Sequence, residues 1–217
     1  MSQIAEIIKY EGDNQTFIWK HPCEDFNSLT QLIVHESQEA IFFMNGQALD
    51  LFGPGRYTLE TESIPKIGRF LSRATGDQTP FHSEVYFINK TVQMAMKWGT
   101  DSKVRYIDPN SGVPLELGAS GSMNMQVADS RKLLIKLVGT MNGIAWEKEG
   151  TEFTKSIQNS FRPVISTAVK TTLSSVIKAQ NINILEVDEH LNEIGKELHR
   201  KILPEFEEFG ITIPQFY

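Results

Sequence analysis

The chain has 217 residues, which is long enough for one large domain or two small ones with an ample core. Its net charge of -6 and pI near 5.4 argue against a nucleic-acid-binding protein and against simple polybasic attachment to anionic lipid, because both need clustered basic residues. Its single cysteine, Cys23, excludes an internal disulfide and a zinc site with four cysteine ligands, and it indicates the cytosol.

The N-terminal part of the chain contains two apolar-rich stretches, residues 4–10 and 15–20, separated by a turn composition. These stretches predict a hairpin, but three isoleucines in the first stretch have the spacing of a short amphipathic helix, so both alternatives stay open. We predict that residues 1–29 form a hairpin or short-helix extension to a domain of residues 30–217. No apolar run here approaches the roughly 20 residues of a membrane-spanning helix.

Residues 31–60 predict three or four short strands joined by turns of recognisable chemistry. An Asn-Gly dipeptide, a common two-residue hairpin turn, joins the apolar residues 38–44 to a return strand at residues 47–52. A Gly-Pro-Gly tripeptide then makes a second tight turn before a strand at residues 56–60. The segment carries no combination of nucleophile, base and metal ligands, and we interpret it as architecture.

The middle of the chain predicts one short helix followed by more strands. Residues 65–75 have helical apolar spacing, with Pro65 at a favourable first position and Gly76 as the terminator. Residues 83–98 return to strand composition, and the break at Asn89 indicates the tip of a hairpin.

Residues 113–127 show the clearest pattern in the chain, because apolar residues dominate the odd positions and polar ones the even positions. This period of two predicts a long strand, with one face on a core and the other facing water or another protein. Gly118 and Gly121 indicate a bend or bulge within it. A short strand at residues 103–107, ended by a turn cluster, precedes it.

From Asp129 onwards the apolar period becomes that of a helix. Asp129 is predicted to cap a short helix that ends at Gly139. Residues 151–180 predict a long amphipathic helix that Pro163 kinks or splits, and residues 186–209 predict a second long helix.

The order of these elements defines the fold class as α+β. Residues 30–128 are rich in strands, residues 129–210 are helical and residues 211–217 form a terminal strand. We expect an antiparallel, partly barrel-like β-sheet with helices packed on one face.

Candidate catalytic, cofactor-binding and metal-binding residues are predicted to be none. The five histidines lack the spacing of a zinc motif. The sequence around Ser120 is not a hydrolase elbow, and Cys23 has no base at a fixed spacing. We therefore predict that the protein is not an enzyme and uses no cofactor. The histidines are His21, His35, His82, His190 and His199.

Four motifs occur in an order and spacing that resemble one family. They are GPGRY at residues 53–57, TPFHSEVYFINK at 79–90, KWGT at 97–100 and LELGASGSMNMQV at 115–127. Over roughly residues 30–217 the chain resembles the SPFH or band 7 domain of stomatin, prohibitin, flotillin and the HflK/HflC proteins. It is most similar to the soluble bacterial branch described as virion core protein-like.

The resemblance implies a small sheet with helices on it, no catalysis, and a following helical segment that drives homo-oligomerisation. It also implies a peripheral location at the cytoplasmic, inner face of the cell membrane, with membrane proteins or peripheral membrane-stress proteins as partners and no nucleic acid. The sequence departs from stomatins and prohibitins because it lacks their N-terminal membrane hairpin. Close relatives continue beyond the position of Tyr217 into a helical region and often a zinc ribbon, so we expect this chain to be a fragment.

The leading hypothesis is a non-catalytic scaffold that oligomerises and organises or recruits proteins at the membrane, including in a membrane-stress response. The alternative is a soluble adaptor that binds one protein without forming a lattice, with the polar face of residues 113–127 as its docking edge. A third hypothesis, a hydrolase that uses Ser120 or Cys23, has no supporting motif.

Overall fold

A computed structural model describes most of the chain, and these residues divide into two compact units. Unit 1 comprises Met1–Thr91 and Asp129–Thr154, and unit 2 comprises Val92–Ala128 and Lys155–Tyr217. The described residues are 6–12, 16–22, 25–26, 30–44, 46–59, 81–108, 111–140, 151–179, 182 and 184–217.

The described part of unit 1 consists of short strands and one helix. The strands are β1 (Ile7–Ile8), β2 (Ile18–Lys20), β3 (Asp25–Phe26), β4 (Gln31–Val34), β5 (Gln38–Met44), β6 (Gln47–Phe52), β7 (Gly55–Thr58), β8 (Phe81–His82) and β9 (Glu84–Asn89), and the helix is α1 (Ser130–Thr140). A four-stranded sheet has the order β2-β9-β5-β6, a three-stranded sheet has the order β1-β4-β7, and β3 pairs with β8. All of these neighbours are antiparallel except β1 and β4.

The hairpin of β5 and β6 lies in the four-stranded sheet and confirms the strands predicted at residues 38–44 and 47–52. Gly46 has a φ of 75°, the left-handed conformation that glycine adopts easily and that a two-residue hairpin turn requires. Phe42 of β5 and Phe87 of β9 are buried in the apolar core of unit 1. The strand predicted at residues 56–60 is observed as β7.

The two N-terminal stretches form strands that pair with other parts of unit 1. β1 lies parallel to β4, and β2 lies antiparallel to β9. Ile8 and Ile18 are buried by these pairings. Sequence periodicity could indicate that the stretches are apolar, but it could not choose their partners. The domain boundary at residue 30 stays a prediction.

Unit 2 combines strands with two long helices. Its strands are β10 (Gln93–Gly99), β11 (Val104–Ile107), β12 (Pro114–Leu117), β13 (Ser120–Val127) and β14 (Ile211–Phe216), and its helices are most of α2 (Thr151–Ala179), a 3-10 helix (Ile184–His190) and α3 (Leu191–Glu207). The antiparallel sheet has the order β10-β13-β14, and β11 pairs only with β12 among the described strands. We call the β11–β12 pair the ribbon.

Two strand predictions need correction. The hairpin predicted across residues 83–98 is wrong, because β9 and β10 belong to different sheets. The long strand predicted at residues 113–127 is divided near Gly118 into β12 and β13. β12 pairs with β11, whereas β13 pairs with β10 and β14. The predicted apolar face is confirmed where Met123 and Met125 are fully buried, but Asn124 between them is buried as well, so β13 does not alternate there. Local patterns identified strands correctly, but long-range pairing decided which strands meet.

The cap of α1 is confirmed by its geometry. Lys132 donates its backbone N–H to Asp129 Oδ1 at 2.8 Å, as an N-cap requires. The helix continues through Gly139 to Thr140. The short helix predicted at residues 65–75 lies outside the described residues.

The interiors of the long helices differ from the sequence expectations. α2 is one continuous helix with Pro163 inside, so the predicted split is wrong. Phe161 and Ile165 are buried on either side of the proline, and this packing offsets the lost backbone hydrogen bond. The second predicted helix is divided, because residues 184–190 form a 3-10 turn before α3 begins.

The fold is therefore α+β with antiparallel sheets, as the order of elements predicts. Among the described strands no sheet closes into a barrel. α1 packs against β6 in unit 1, and α3 packs against β14 in unit 2.

Candidate interaction surface

The ribbon is the most exposed β structure described in unit 2. In the antiparallel register Ile107 faces Pro114, and Tyr106 faces Leu115. Side chains on one face are covered, with Tyr106 only 2% exposed, whereas Ile107 on the other face is 65% exposed. Val113, next to the tip, is 49% exposed. Isolated two-stranded ribbons are marginal in water, so the buried Tyr106 face holds this one in place.

The turn at the ribbon tip is fixed by a dense set of hydrogen bonds. Asp108 Oδ2 accepts the backbone N–H of Ser111 at 2.9 Å and its hydroxyl at 2.5 Å. Gly112 donates its N–H to the Asp108 carbonyl at 2.8 Å and has a φ of 69°. The exposed Ile107 and Val113 therefore flank residues that these hydrogen bonds connect, Asp108, Ser111 and Gly112.

Tyr106 anchors the ribbon and has the features of a structural residue. Burial raises the pKa of its phenol, and the charge of Asp108 raises the pKa further. The phenol therefore stays neutral at pH 7 and cannot act as a base there. Its hydroxyl oxygen has no hydrogen-bond partner among the described residues.

The docking edge predicted at residues 113–127 is only partly available. β13 lies between β10 and β14, so it has no free edge in its sheet. Asn124, on the predicted polar face, is buried and donates a side-chain hydrogen bond to Gln215. The exposed residues of this face are Pro114 and Glu116 in β12, Gly118 after it and Ser120 at the start of β13.

A polar cluster joins the segment after β10 to α2. Lys170 donates hydrogen bonds to the Asp101 carboxylate and, at 2.7 Å, to Ser102 Oγ. Ser166 Oγ donates to Asp101 Oδ1 at 2.8 Å. A serine beside a lysine resembles a nucleophile and its base. However, Lys170 donates to Asp101 as an ammonium, which has no lone pair to accept a serine proton. The geometry makes this cluster a structural link within unit 2.

The link predicts a pH dependence for Asp101. The hydrogen bonds from Lys170, and then from Ser166, lower the pKa of the Asp101 carboxyl from 3.8 to about 2. A lowered carboxyl pKa stabilises the fold above pH 3.8, and this contribution is lost as the pH falls from 3.8 to 2. Solvent exposure keeps the effect on stability small. We expect an NMR titration of this carboxyl to show the low pKa in the wild type.

The matched variants for this titration are Lys170→Met and Lys97→Met. Lys170→Met removes the hydrogen bond that lowers the Asp101 pKa most, so the pKa should return towards 3.8. Lys97 is exposed on β10, and Lys97→Met should leave the Asp101 pKa unchanged. An unchanged low pKa in Lys170→Met would show that the hydrogen bond from Lys170 does not hold the carboxylate.

The residues considered as catalytic or metal-binding candidates have structural surroundings where the structure describes them. Ser120 is exposed at the start of β13, and Cys23 lies outside the described residues. His199 Nε2 donates to the Ile213 carbonyl at 2.8 Å, and His190 Nδ1 lies 3.2 Å from a Glu193 carboxylate oxygen. In the part of the chain that the structure describes, no three His, Cys, Asp or Glu side chains form a group that could hold a metal ion.

A groove of about 470 Å³ lies between α2 and α3. Its apolar lining residues are Val176 and Ala179. Its charged lining residues carry both signs, and they are Glu193, Lys196, Glu197 and Arg200. A lining with two acidic and two basic residues gives no electrostatic preference for an anionic or a cationic ligand.

Sequence reasoning missed the Asp101–Lys170 link because its partners are 69 residues apart. No local motif signals such a pair, since the residues meet only after α2 packs. The exposed tip of the ribbon did have a signal. The turn sequence at 108–112 was recognised as a turn, and apolar residues flank it on both sides.

None of the helices in the described residues is long and apolar enough to cross a membrane.

The described features define an α+β fold in which unit 2 has a polar cluster that joins two of its segments and a ribbon with an exposed tip. The chain belongs to the SPFH domain-Band 7 family, whose sequence model matches residues 18–217. It is 28% identical over 142 residues to the "Uncharacterized protein YdjI" of Bacillus subtilis (strain 168). The similar region covers 64% of this chain and 43% of that relative, so the chain spans less than half of the relative's length. The family match confirms the resemblance found in the motifs.

Proposed function

We propose that this protein is a non-catalytic scaffold that oligomerises and organises or recruits proteins at the cytoplasmic face of a membrane. Its membership of the SPFH domain-Band 7 family carries the proposal. The finer assignment is a role in membrane stress, with partners among membrane proteins or peripheral membrane-stress proteins. Contact with the bilayer is peripheral in this proposal.

The ribbon supports a role in contacts with other proteins. Ile107 is 65% exposed and lies beside a turn held by the Asp108 hydrogen bonds. A large apolar side chain at the end of a paired strand can be buried by a partner without a large cost in lost conformational freedom. The buried Tyr106 face holds the ribbon against the rest of unit 2, so a partner bound at the tip would be held in a fixed position.

Sedimentation of the full-length protein with two kinds of vesicle tests the proposal. Inverted membrane vesicles carry membrane proteins, and liposomes made from the extracted lipids do not. We expect large assemblies in the absence of vesicles, and pelleting with inverted vesicles several-fold above pelleting with liposomes. Equal pelleting with both would assign the contact to lipid alone.

A ribbon variant links this test to the structure. Ile107→Glu should reduce pelleting several-fold, because it places a charge in the proposed contact. Ile135→Glu is the matched control, since Ile135 is 51% exposed on α1 in unit 1. A full-length protein that stays monomeric and pellets with neither vesicle would contradict the scaffold. A discrete small complex with one partner would favour the soluble adaptor.

A further inference from the structure

Residues 6–12, which we call the N-terminal arm, are held in unit 1 by strand pairing. β1 of the arm lies parallel to β4, with Ile8 beside Leu32. Gln31 donates its backbone N–H to the Glu6 carbonyl at 2.8 Å. The edge of β4 away from β7 therefore accepts a parallel extended segment.

Two side chains of the arm pack into unit 1. Ile8 is fully buried and belongs to the apolar core. The Tyr10 ring stacks on the Trp19 ring, with centroids 4.8 Å apart, and its centroid lies 6.4 Å from that of Phe87. Gln38 donates a side-chain hydrogen bond to the Tyr10 carbonyl at 3.2 Å. The site therefore binds an extended segment in which an aromatic residue follows a buried aliphatic residue two positions later.

The arm is bound at this site by a small set of contacts. Only two of its residues, Ile7 and Ile8, pair with β4, and Ile7 is 49% exposed. Beneath the arm, Gln38 Oε1 is buried and has no hydrogen-bond partner in the described part of the chain. A buried acceptor without a partner costs about 1–3 kcal/mol, which offsets part of the gain from burying Ile8. These features favour an arm that can leave its site and return.

Gly12 allows the chain to turn back over the Tyr10 ring. A Cβ at residue 12 would lie 2.1 Å from the Tyr10 hydroxyl oxygen and 2.2 Å from Cζ of the same ring. Any larger residue would therefore push the ring out of its stack on Trp19 or move residue 12 outwards. An arm bound to another molecule does not need this turn, because its chain leads away to a different body.

We propose that the β4 site also binds the arm of a second copy of the chain, so that two molecules exchange their arms. Ile8 and Tyr10 would meet identical partners on the second copy, so exchange needs no new contact. The two arrangements differ in the turn at Gly12 and in their dependence on protein concentration. The exchange rests on the proposed oligomerisation and supplies one contact for it. Because the family match begins at residue 18, the exchange would be a feature of this chain rather than of the matched domain.

Disulfide cross-linking between two different chains tests the exchange. Both chains carry Cys23→Ser, one carries Ile7→Cys with a size tag, and the other carries Gln31→Cys. Residues 7 and 31 are register partners on neighbouring strands about 4.8 Å apart, within reach of a disulfide. In a glutathione redox buffer we expect mixed dimers several-fold above the dimers of either chain alone. In the control, Ile135→Cys at an exposed position of α1 replaces Gln31→Cys and should remove this excess.

Substitutions in the tagged chain then test the arm itself. Gly12→Ala should raise the share of mixed dimers several-fold, because it disfavours the turn that only the unexchanged arm needs. Gly53→Ala is the matched control, since a Cβ there would meet nothing within 4 Å. Ile8→Glu should abolish the mixed dimers, because a carboxylate is strongly disfavoured in the apolar core.

Three outcomes would overturn the exchange. The first is a yield of mixed dimers no higher than that of the Ile135→Cys control at every protein concentration. The second is a yield that survives Ile8→Glu, because such dimers would form without a docked arm. The third is a Gly12→Ala yield no higher than that of Gly53→Ala. Sedimentation of the full-length protein without cross-links reports assembly separately, so assemblies there without mixed dimers here would remove the exchange and leave the scaffold in place.

Discussion

Phe206→Ala is expected to lower the free energy of unfolding by about 3–5 kcal/mol, the range for a large aromatic side chain removed from a core. Phe206 of α3 is fully buried and stacks on Phe161 of α2, with ring centroids 4.4 Å apart. Phe209 packs edge-on against the same Phe161 ring at 5.0 Å. The stack joins the two long helices of unit 2, so its loss leaves a cavity and removes an aromatic contact.

The control for this prediction lies one residue away. Glu205→Ala changes an exposed residue of the same helix and should alter the free energy of unfolding by at most about 0.5 kcal/mol. Urea denaturation followed by circular dichroism measures both variants. A loss below about 1 kcal/mol in Phe206→Ala would mean that the neighbouring rings close the cavity or that the stack contributes little.

Local chemistry in the sequence was enough to find most of the elements. The Asn-Gly turn placed β5 and β6, and Asp129 marked the start of α1, because each signal acts over a few residues. The family motifs then indicated how the elements are arranged. Position along the chain was therefore predictable wherever a turn or cap residue fixed it.

Pairing between distant segments was not predictable from these signals. The sequence predicted that β9 and β10 form one hairpin. In the structure β9 pairs with β2 and β5, and β10 pairs with β13. The hydrogen bond from Arg131 to the Ala48 carbonyl also joins distant segments, which lie 83 residues apart. An arginine in the first turn of a helix carries no local signal of such a contact, because the contact depends on which strand lies beside the helix.

Gly121→Ala is expected to lower the free energy of unfolding by about 1–3 kcal/mol, through overpacking. A Cβ at residue 121 would lie 1.9 Å from the Tyr217 carbonyl oxygen and 2.7 Å from Cζ2 of Trp98. Neither neighbour can move freely. Trp98 faces Gly121 across the β10–β13 pair, donates its indole N–H to Tyr217 O at 3.2 Å and stacks on Phe216.

The backbone of Tyr217 is held as firmly, because Tyr217 and Ser122 exchange two backbone hydrogen bonds of 2.8 and 2.9 Å. An alanine at residue 121 must therefore displace the indole or part this end of β14 from β13. Gly118→Ala is the matched control, since its Cβ would meet only Thr100 Oγ1 at an ordinary 3.5 Å. Urea denaturation gives the loss of stability, and hydrogen exchange at the Tyr217 amide reports whether β14 has parted. Wild-type stability and exchange in Gly121→Ala would show that Trp98 can move aside without cost, and that the glycine is not required by packing.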